Sequence, residues 1–179
     1  MSAIRRKSRL KAPGPAIDWK LLQRMARAAS TKAYAPYSGY HVGAALLASD
    51  GRIFVGANVE NASYGLAQCA ERTAIGAAVV AGARKFVAIA IASPGSVPAS
   101  PCGMCRQVLS EFPPSFPTRC FAEKGEPVDS TVTELLPGAF GPAELAQAKR
   151  LVKKPKAPIE TTGAATGAPS KKQRTPKPS

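Results

Sequence analysis

Residues 69–112 read CAERTAIGAAVVAGARKFVAIAIASPGSVPASPCGMCRQVLSEF. Cys69–Val80 has the composition and length of a helix, Phe86–Ala92 is a continuous apolar run of β type, and Cys102–Phe112 is helical again. Pro101 stands just ahead of the second helix, where a proline's fixed φ and missing N–H are tolerated. Helix, strand and helix in succession predict a sheet with helices packed on it.

The flanks extend this alternation. Asp18 is a good N-cap for a helix in which Leu21, Leu22, Met25, Ala26 and Ala29 share one face. After the loop 34–39, the apolar run Val42–Ala48, the pair Asp50-Gly51 and Arg52–Val55 read as a hairpin. A short strand at Arg119–Ala122, a turn at Lys124-Gly125, a strand near Val128–Val132 and a helix from Pro142 complete the ordered part. The expected class is α/β, with the sheet sandwiched by helices.

A chain of 179 residues with 45% apolar residues can bury a core as one domain. The net charge of +14 suggests a nucleic-acid binder until it is located. Arg5, Arg6, Lys7, Arg9 and Lys11 carry +5, and the segment from Lys149 onward carries +8, which leaves +1 for residues 17–148. The expected organisation is a basic disordered extension over 1–16, a domain over 17–150, and a basic tail rich in Pro, Ala and Lys over 151–179 with almost nothing to bury. The ends lack interleaved aromatics, so specific nucleic-acid binding is not expected, only weak, salt-sensitive attraction.

The uncharged run 86–105 is interrupted by Pro94, Pro98 and Pro101, and no apolar stretch follows the basic N-terminus, so neither a membrane span nor a signal peptide is expected. Four cysteines without a secretory leader point to a reducing compartment, read as the cytoplasm. An organellar transit peptide is the alternative for the basic start.

The chemistry sits in Cys69-Ala70-Glu71 at one helix start and Cys102-Gly103-Met104-Cys105 at the other. A bare Cys-x-x-Cys also serves redox dithiols, structural zinc modules and buried pairs; the third cysteine favours a Cys₃ zinc site. Three protein ligands leave the fourth position of tetrahedral zinc open to water, as in hydrolytic sites. Three thiolates around Zn²⁺ sum to −1, so positive potential is needed nearby, and two helix N-termini supply some. Arg72 and Arg106 are either donors to the sulfurs or ordinary surface arginines. Glu71 lies roughly 200° around a helix from Cys69, which places it beside the metal rather than on it, as a group that moves protons. His41 and Cys120 are assigned no role; a fourth thiolate would close the site.

These pieces, in order, resemble the cytidine deaminase family: Tyr34-Ala35-Pro36-Tyr37-Ser38, Val42-Gly43-Ala44-Ala45-Leu46, Asn58-Val59-Glu60-Asn61-Ala62-Ser63-Tyr64, Cys69-Ala70-Glu71-Arg72 and Pro101-Cys102-Gly103-Met104-Cys105-Arg106-Gln107. The resemblance runs from about Tyr34 to Ala143 and implies a three-layer α-β-α sandwich around a mixed sheet of about five strands. It further implies Cys69, Cys102 and Cys105 as ligands of one Zn²⁺, with Glu71 shuttling protons while a zinc-bound hydroxide attacks C4 of the base and ammonia leaves. The substrate would be free cytidine or deoxycytidine, in pyrimidine salvage.

By the same resemblance Asn58 and Glu60 bond the ribose hydroxyls, and Asn58, Val59, Glu60, Asn61, Ala62, Ser63 and Tyr64 form the loop lining the sugar pocket, with Tyr40 and Ala70 also on the substrate. Tyr40 stands where the family usually has Phe. Phe140 matches a position that reaches into a neighbouring subunit's site, which implies a homotetramer. Two other readings stay open: a deaminase of a related cytosine compound such as blasticidin S, whose own enzymes lack a glutamate matching Glu60, and a noncatalytic zinc module with nucleic-acid-binding tails.

Overall fold

A computed structural model of the protein describes residues 15–151. The extension and tail expected at the ends lie outside the described residues, apart from Pro15, Ala16 and Leu151.

Helix α1 (Trp19–Ser30) starts where Asp18 accepts the Leu21 N–H at 3.0 Å, and it buries Leu22, Ala26 and Ala29. Strands β1 (Gly43–Ala48) and β2 (Ile53–Ala57) form the expected antiparallel hairpin, with Gly51 at φ +89° in the turn. Helix α2 (Ala70–Val80), strand β3 (Phe86–Ala92) and helix α3 (Gly103–Ser110) follow, then β4 (Pro117–Phe121), β5 (Val128–Thr131), α4 (Val132–Leu135) and α5 (Pro142–Leu151). Tyr64–Leu66 forms one 3₁₀ turn.

The sheet order is β2-β1-β3-β4-β5, antiparallel at every pairing except β3–β4. This is the mixed five-stranded sheet anticipated, with helices on both faces. Central strands β1 and β3 are buried on both sides, because alternate residues serve different layers. Ala44, Leu46, Ile89 and Ile91 join the core with Ala74, Ala78 and Leu109 of α2 and α3, whereas Ala45, Leu47, Ala88 and Ala90 meet α1.

Two strand glycines set the distance between the layers. A Cβ at Gly43 would lie 1.9 Å from the Ala26 carbonyl oxygen of α1, and one at Gly56 would lie 2.4 Å from the Ala70 carbonyl oxygen of α2. Both helices therefore rest on the sheet almost backbone to backbone. On the α2 side, this fixes the helix start that carries Cys69.

The sequence reading departs from the structure at the end of the last strand. Thr131 leaves β5 to cap α4, accepting the Glu134 N–H while the Glu134 carboxylate accepts the Thr131 N–H. Thr-x-x-Glu is a capping-box pattern, and the four-residue helix it starts begins at Val132, the residue at which the strand was expected to end. Strand β4 also begins two residues earlier than Arg119. Among the described residues no helix is long and apolar enough to cross a membrane.

Candidate active site

The N-termini of α2 and α3 converge on one point of the α2/α3 face. Cys69 is the N-cap of α2, Cys102 the N-cap of α3, and Cys105 lies in the first turn of α3. The Cys69 and Cys102 sulfurs are 3.7 Å apart, those of Cys102 and Cys105 3.5 Å, and all three lie within 4.8 Å of one another. A tetrahedral ion about 2.3 Å from each thiolate needs sulfurs about 3.8 Å apart. Two of the three sulfur pairs stand close to this spacing and the third within 4.8 Å, so the cluster suits zinc, and among the described residues it is the only such group of cysteines, histidines and carboxylates.

The positive ends of two helices point at these sulfurs, and so does one cation. Arg72, one turn along α2, donates to the Cys69 Sγ at 3.7 Å and to the Ala67 carbonyl at 2.8 Å. Without metal, hydrogen bonding from Cys105, followed by that from Arg72, brings the Cys69 thiol down to about 5, while Cys105, as the donor, is pushed up. Arg106 is engaged elsewhere. Its guanidinium donates to the Pro101 carbonyl at 2.7 Å, the Leu135 carbonyl at 3.1 Å and the Ser100 Oγ at 3.1 Å. It braces the loop ahead of α3 against α4 instead of meeting a sulfur, which corrects the expectation that it tempers thiolate charge.

Glu71 is only 5% exposed, and burial above all raises its carboxyl pKa over the ordinary value. It opens with Cys69, Ala70 and Cys102 onto a cavity of about 330 Å³ that Ser38, Tyr40, Asn58 and Glu60 also line. Asn58 is braced at both ends of its amide: Oδ1 accepts the Val42 N–H and Nδ2 donates to the Tyr40 carbonyl, each at 2.8 Å. Glu60 accepts the Tyr37 N–H at 3.0 Å, the Ser38 N–H at 3.2 Å and the Ser38 hydroxyl.

Other expected residues lie further out. Asn61 and Tyr64 join Glu60 and Ser38 around an adjoining cavity of about 300 Å³. Val59 pairs through its backbone with Gln68, and the Asn61 side chain accepts the Ser63 N–H; Val59, Ala62 and Ser63 line neither cavity. Phe140 is exposed and lines neither, its carbonyl accepting from Gln107 at 2.7 Å. Cys120 is buried in β4 away from the cluster, and burial pushes its thiol up to about 12. Sequence reasoning passed over Ser38, Val42, Ile91, Ala99 and Ser100 as cavity residues. For Ser38 the signal was present, since it ends the Tyr34–Ser38 segment.

The model of the cytidine and deoxycytidylate deaminase zinc-binding region matches residues 18–116. The chain belongs to this family. Cytidine deaminase of Sporosarcina psychrophila is 46% identical over 133 residues, spanning 74% of this chain and 98% of that protein. The cytidine deaminase of Halalkalibacterium halodurans is 48% identical over 126 residues, 69% of this chain and 95% of that one. The crystal structure of cytidine deaminase from Burkholderia pseudomallei superposes with a TM-score of 0.67 at 46% identity, covering 69% of this chain and all of that one. In a zinc-binding family the three-thiol cluster has its metal: one Zn²⁺ per chain. The deaminase family also accounts for a buried carboxylate beside a metal position left open, which neither a closed structural zinc module nor a redox dithiol needs.

Proposed function

We propose that the protein is a zinc-dependent hydrolase that converts cytidine and deoxycytidine to uridine and deoxyuridine with release of ammonia, in residues 17–150. The observation that carries this is Glu71, a buried carboxyl beside three clustered thiols, lining one cavity with the polar pair Asn58 and Glu60.

Zinc held by Cys69, Cys102 and Cys105 would supply a Lewis acid that makes water acidic enough to ionise near neutral pH. Glu71 would act as the proton carrier: as a carboxylate it would take a proton from water, and its buried setting favours holding that proton until it is delivered to N3 of the base. It would then carry the proton of the new C4 hydroxyl to the leaving amine. C4 exchanges its C–N bond for a C–O bond, and water and substrate balance uridine and ammonia. Asn58 keeps a second N–H and a second carbonyl lone pair beyond its braces, and Glu60 keeps acceptor capacity, for the ribose hydroxyls. Tyr40 and Ala70 flank the base, Val59, Asn61, Ala62, Ser63 and Tyr64 shape the loop beyond the sugar, and Arg72 tempers the charge on Cys69.

Phe140 is 61% exposed and fits a role in a neighbouring subunit's site within a homotetramer. Free thiols at the metal cluster suit the reducing cytoplasm. The glutamate at 60, which lines the cavity, favours ribose or deoxyribose over blasticidin S.

The test follows ultraviolet absorbance of zinc-loaded protein with cytidine, deoxycytidine and blasticidin S, beside Glu71→Gln. Turnover of both nucleosides by the parent and a fall of about 10²–10⁴ in kcat for a variant that keeps its zinc is the expected result. A zinc-loaded parent that leaves both nucleosides intact rejects the proposal.

A further inference from the structure

Resting on that proposed function, we infer that Ser38 is a positioning residue for substrate binding, holding the Glu60 carboxylate so that a single acceptor position faces the sugar.

The hydrogen bonds around Ser38 have one consistent direction. The Tyr40 N–H donates to Ser38 Oγ at 2.9 Å, so the hydroxyl's one proton goes to Glu60 Oε1. The second carboxylate oxygen, Oε2, accepts the backbone N–H groups of Tyr37 and Ser38. An ionised carboxylate offers about four lone-pair positions, and three donors already fill three of them. The position left belongs to a residue that lines the same cavity as Cys69 and Glu71. Glu60 is thus held as an acceptor for one hydroxyl instead of a swinging side chain that must be ordered when substrate arrives.

The same short segment governs the neighbouring contacts. Residues 37–42 hold Glu60 through Tyr37 and Ser38, and Asn58 through the Tyr40 carbonyl and the Val42 N–H. Gly39, at φ +64°, makes the turn between these anchors, and a Cβ there would meet no atom within 4 Å, so conformation is the reason for glycine. Tyr40, one residue on, lines the cavity beside both. The groups that read sugar and base are therefore mounted on one segment, and the Ser38 hydroxyl is the side-chain link between that segment and Glu60.

The experiment compares steady-state kinetics on cytidine for the zinc-loaded parent, Ser38→Ala and Ser38→Thr, with zinc content and thermal unfolding measured on each. Losing one donor to a charged acceptor should raise KM about tenfold in Ser38→Ala, with kcat within about twofold of the parent. Zinc content and Tm should stay at parental values because Ser38 is exposed. Ser38→Thr, which keeps the hydroxyl, should return KM to within about threefold of the parent. Parent turnover is read first: its absence rejects cytidine as substrate and this inference together. Where the parent turns over, an unchanged KM in Ser38→Ala, a kcat loss that matches the KM effect, or failure of Ser38→Thr to restore KM overturns the positioning role alone.

Discussion

Cys69 and Cys120 carry the same thiol on the same face of the same sheet, and the fold gives them opposite characters. Cys120 sits in β4 beside Ile91 of β3, with only 2% of its surface exposed, and burial pushes its pKa to about 12. Cys69 caps α2, within 3.7 Å of another sulfur and of the Arg72 guanidinium, and in the metal-free chain its pKa falls to about 5. Burial by itself makes a thiol inert. Helix N-termini, a cation and neighbouring sulfurs make it a metal ligand.

The sharpest break in that comparison comes from removing a cluster sulfur. Cys102→Ser should lower bound zinc from one per chain to near zero by metal analysis and abolish cytidine turnover, and a strong chelator should do the same to the parent. Retention of full zinc by this variant would mean that the cluster is not the metal site. Alkylation gives the next largest contrast. A thiol with a lowered pKa stays ionised as pH falls until that pKa is reached, so zinc-free protein at pH 7 should react with iodoacetamide at Cys69 and lose that reactivity only as pH approaches 5. Cys120, raised instead of lowered, remains a thiol throughout and should be labelled only after unfolding. Peptide mapping by mass spectrometry separates the two, and equal labelling rates in folded protein would erase the distinction.

How much of this was legible in the sequence follows from how far each signal reaches. Asp18 before α1, Asp50-Gly51 between β1 and β2, and Pro142 at the start of α5 act on neighbouring residues, and all were readable. The three clustered cysteines were readable too, because Cys69 and Cys102 each mark a helix start and Cys105 lies one turn on. Arg106 was not, since its choice between sulfur and the Leu135 carbonyl depends on α4, 29 residues away. Ser38 stands in a segment the sequence did single out, but its bond to Glu60 was not legible, because that partner is 22 residues distant, across the hairpin. The close approach at Gly56 is likewise tertiary; nothing in Val55-Gly56-Ala57 says that a helix backbone lies above it.

Gly56 allows the comparison to be sharpened without touching any thiol. A Cβ at Gly56 collides with the Ala70 carbonyl and the Ala74 N–H of α2, while a Cβ at Gly43 collides with Ala26 of α1 on the opposite face. Each alanine substitution forces a backbone shift, costing about 1–3 kcal/mol of stability. Gly56→Ala should also weaken zinc binding, because the helix that moves begins at Cys69. Gly43→Ala should leave zinc affinity unchanged. Denaturant unfolding and competition with a zinc chelator measure the two effects separately, and equal zinc affinities would show that the cluster tolerates movement of α2.

The smallest effect belongs to Cys120. Replacing it with Ala removes one sulfur from a packed core and leaves a small void, which should cost about 1 kcal/mol or slightly more. Zinc stoichiometry, kcat and KM should all match the parent, since the cluster is complete without this residue. The result is informative because it is asymmetric: Cys120→Ala changes stability alone, whereas Cys102→Ser changes the metal and the chemistry. A loss of zinc in Cys120→Ala would show that the core behind α2 and α3 is part of what brings their N-termini together. In that case the two kinds of thiol would be coupled through packing instead of separated by it.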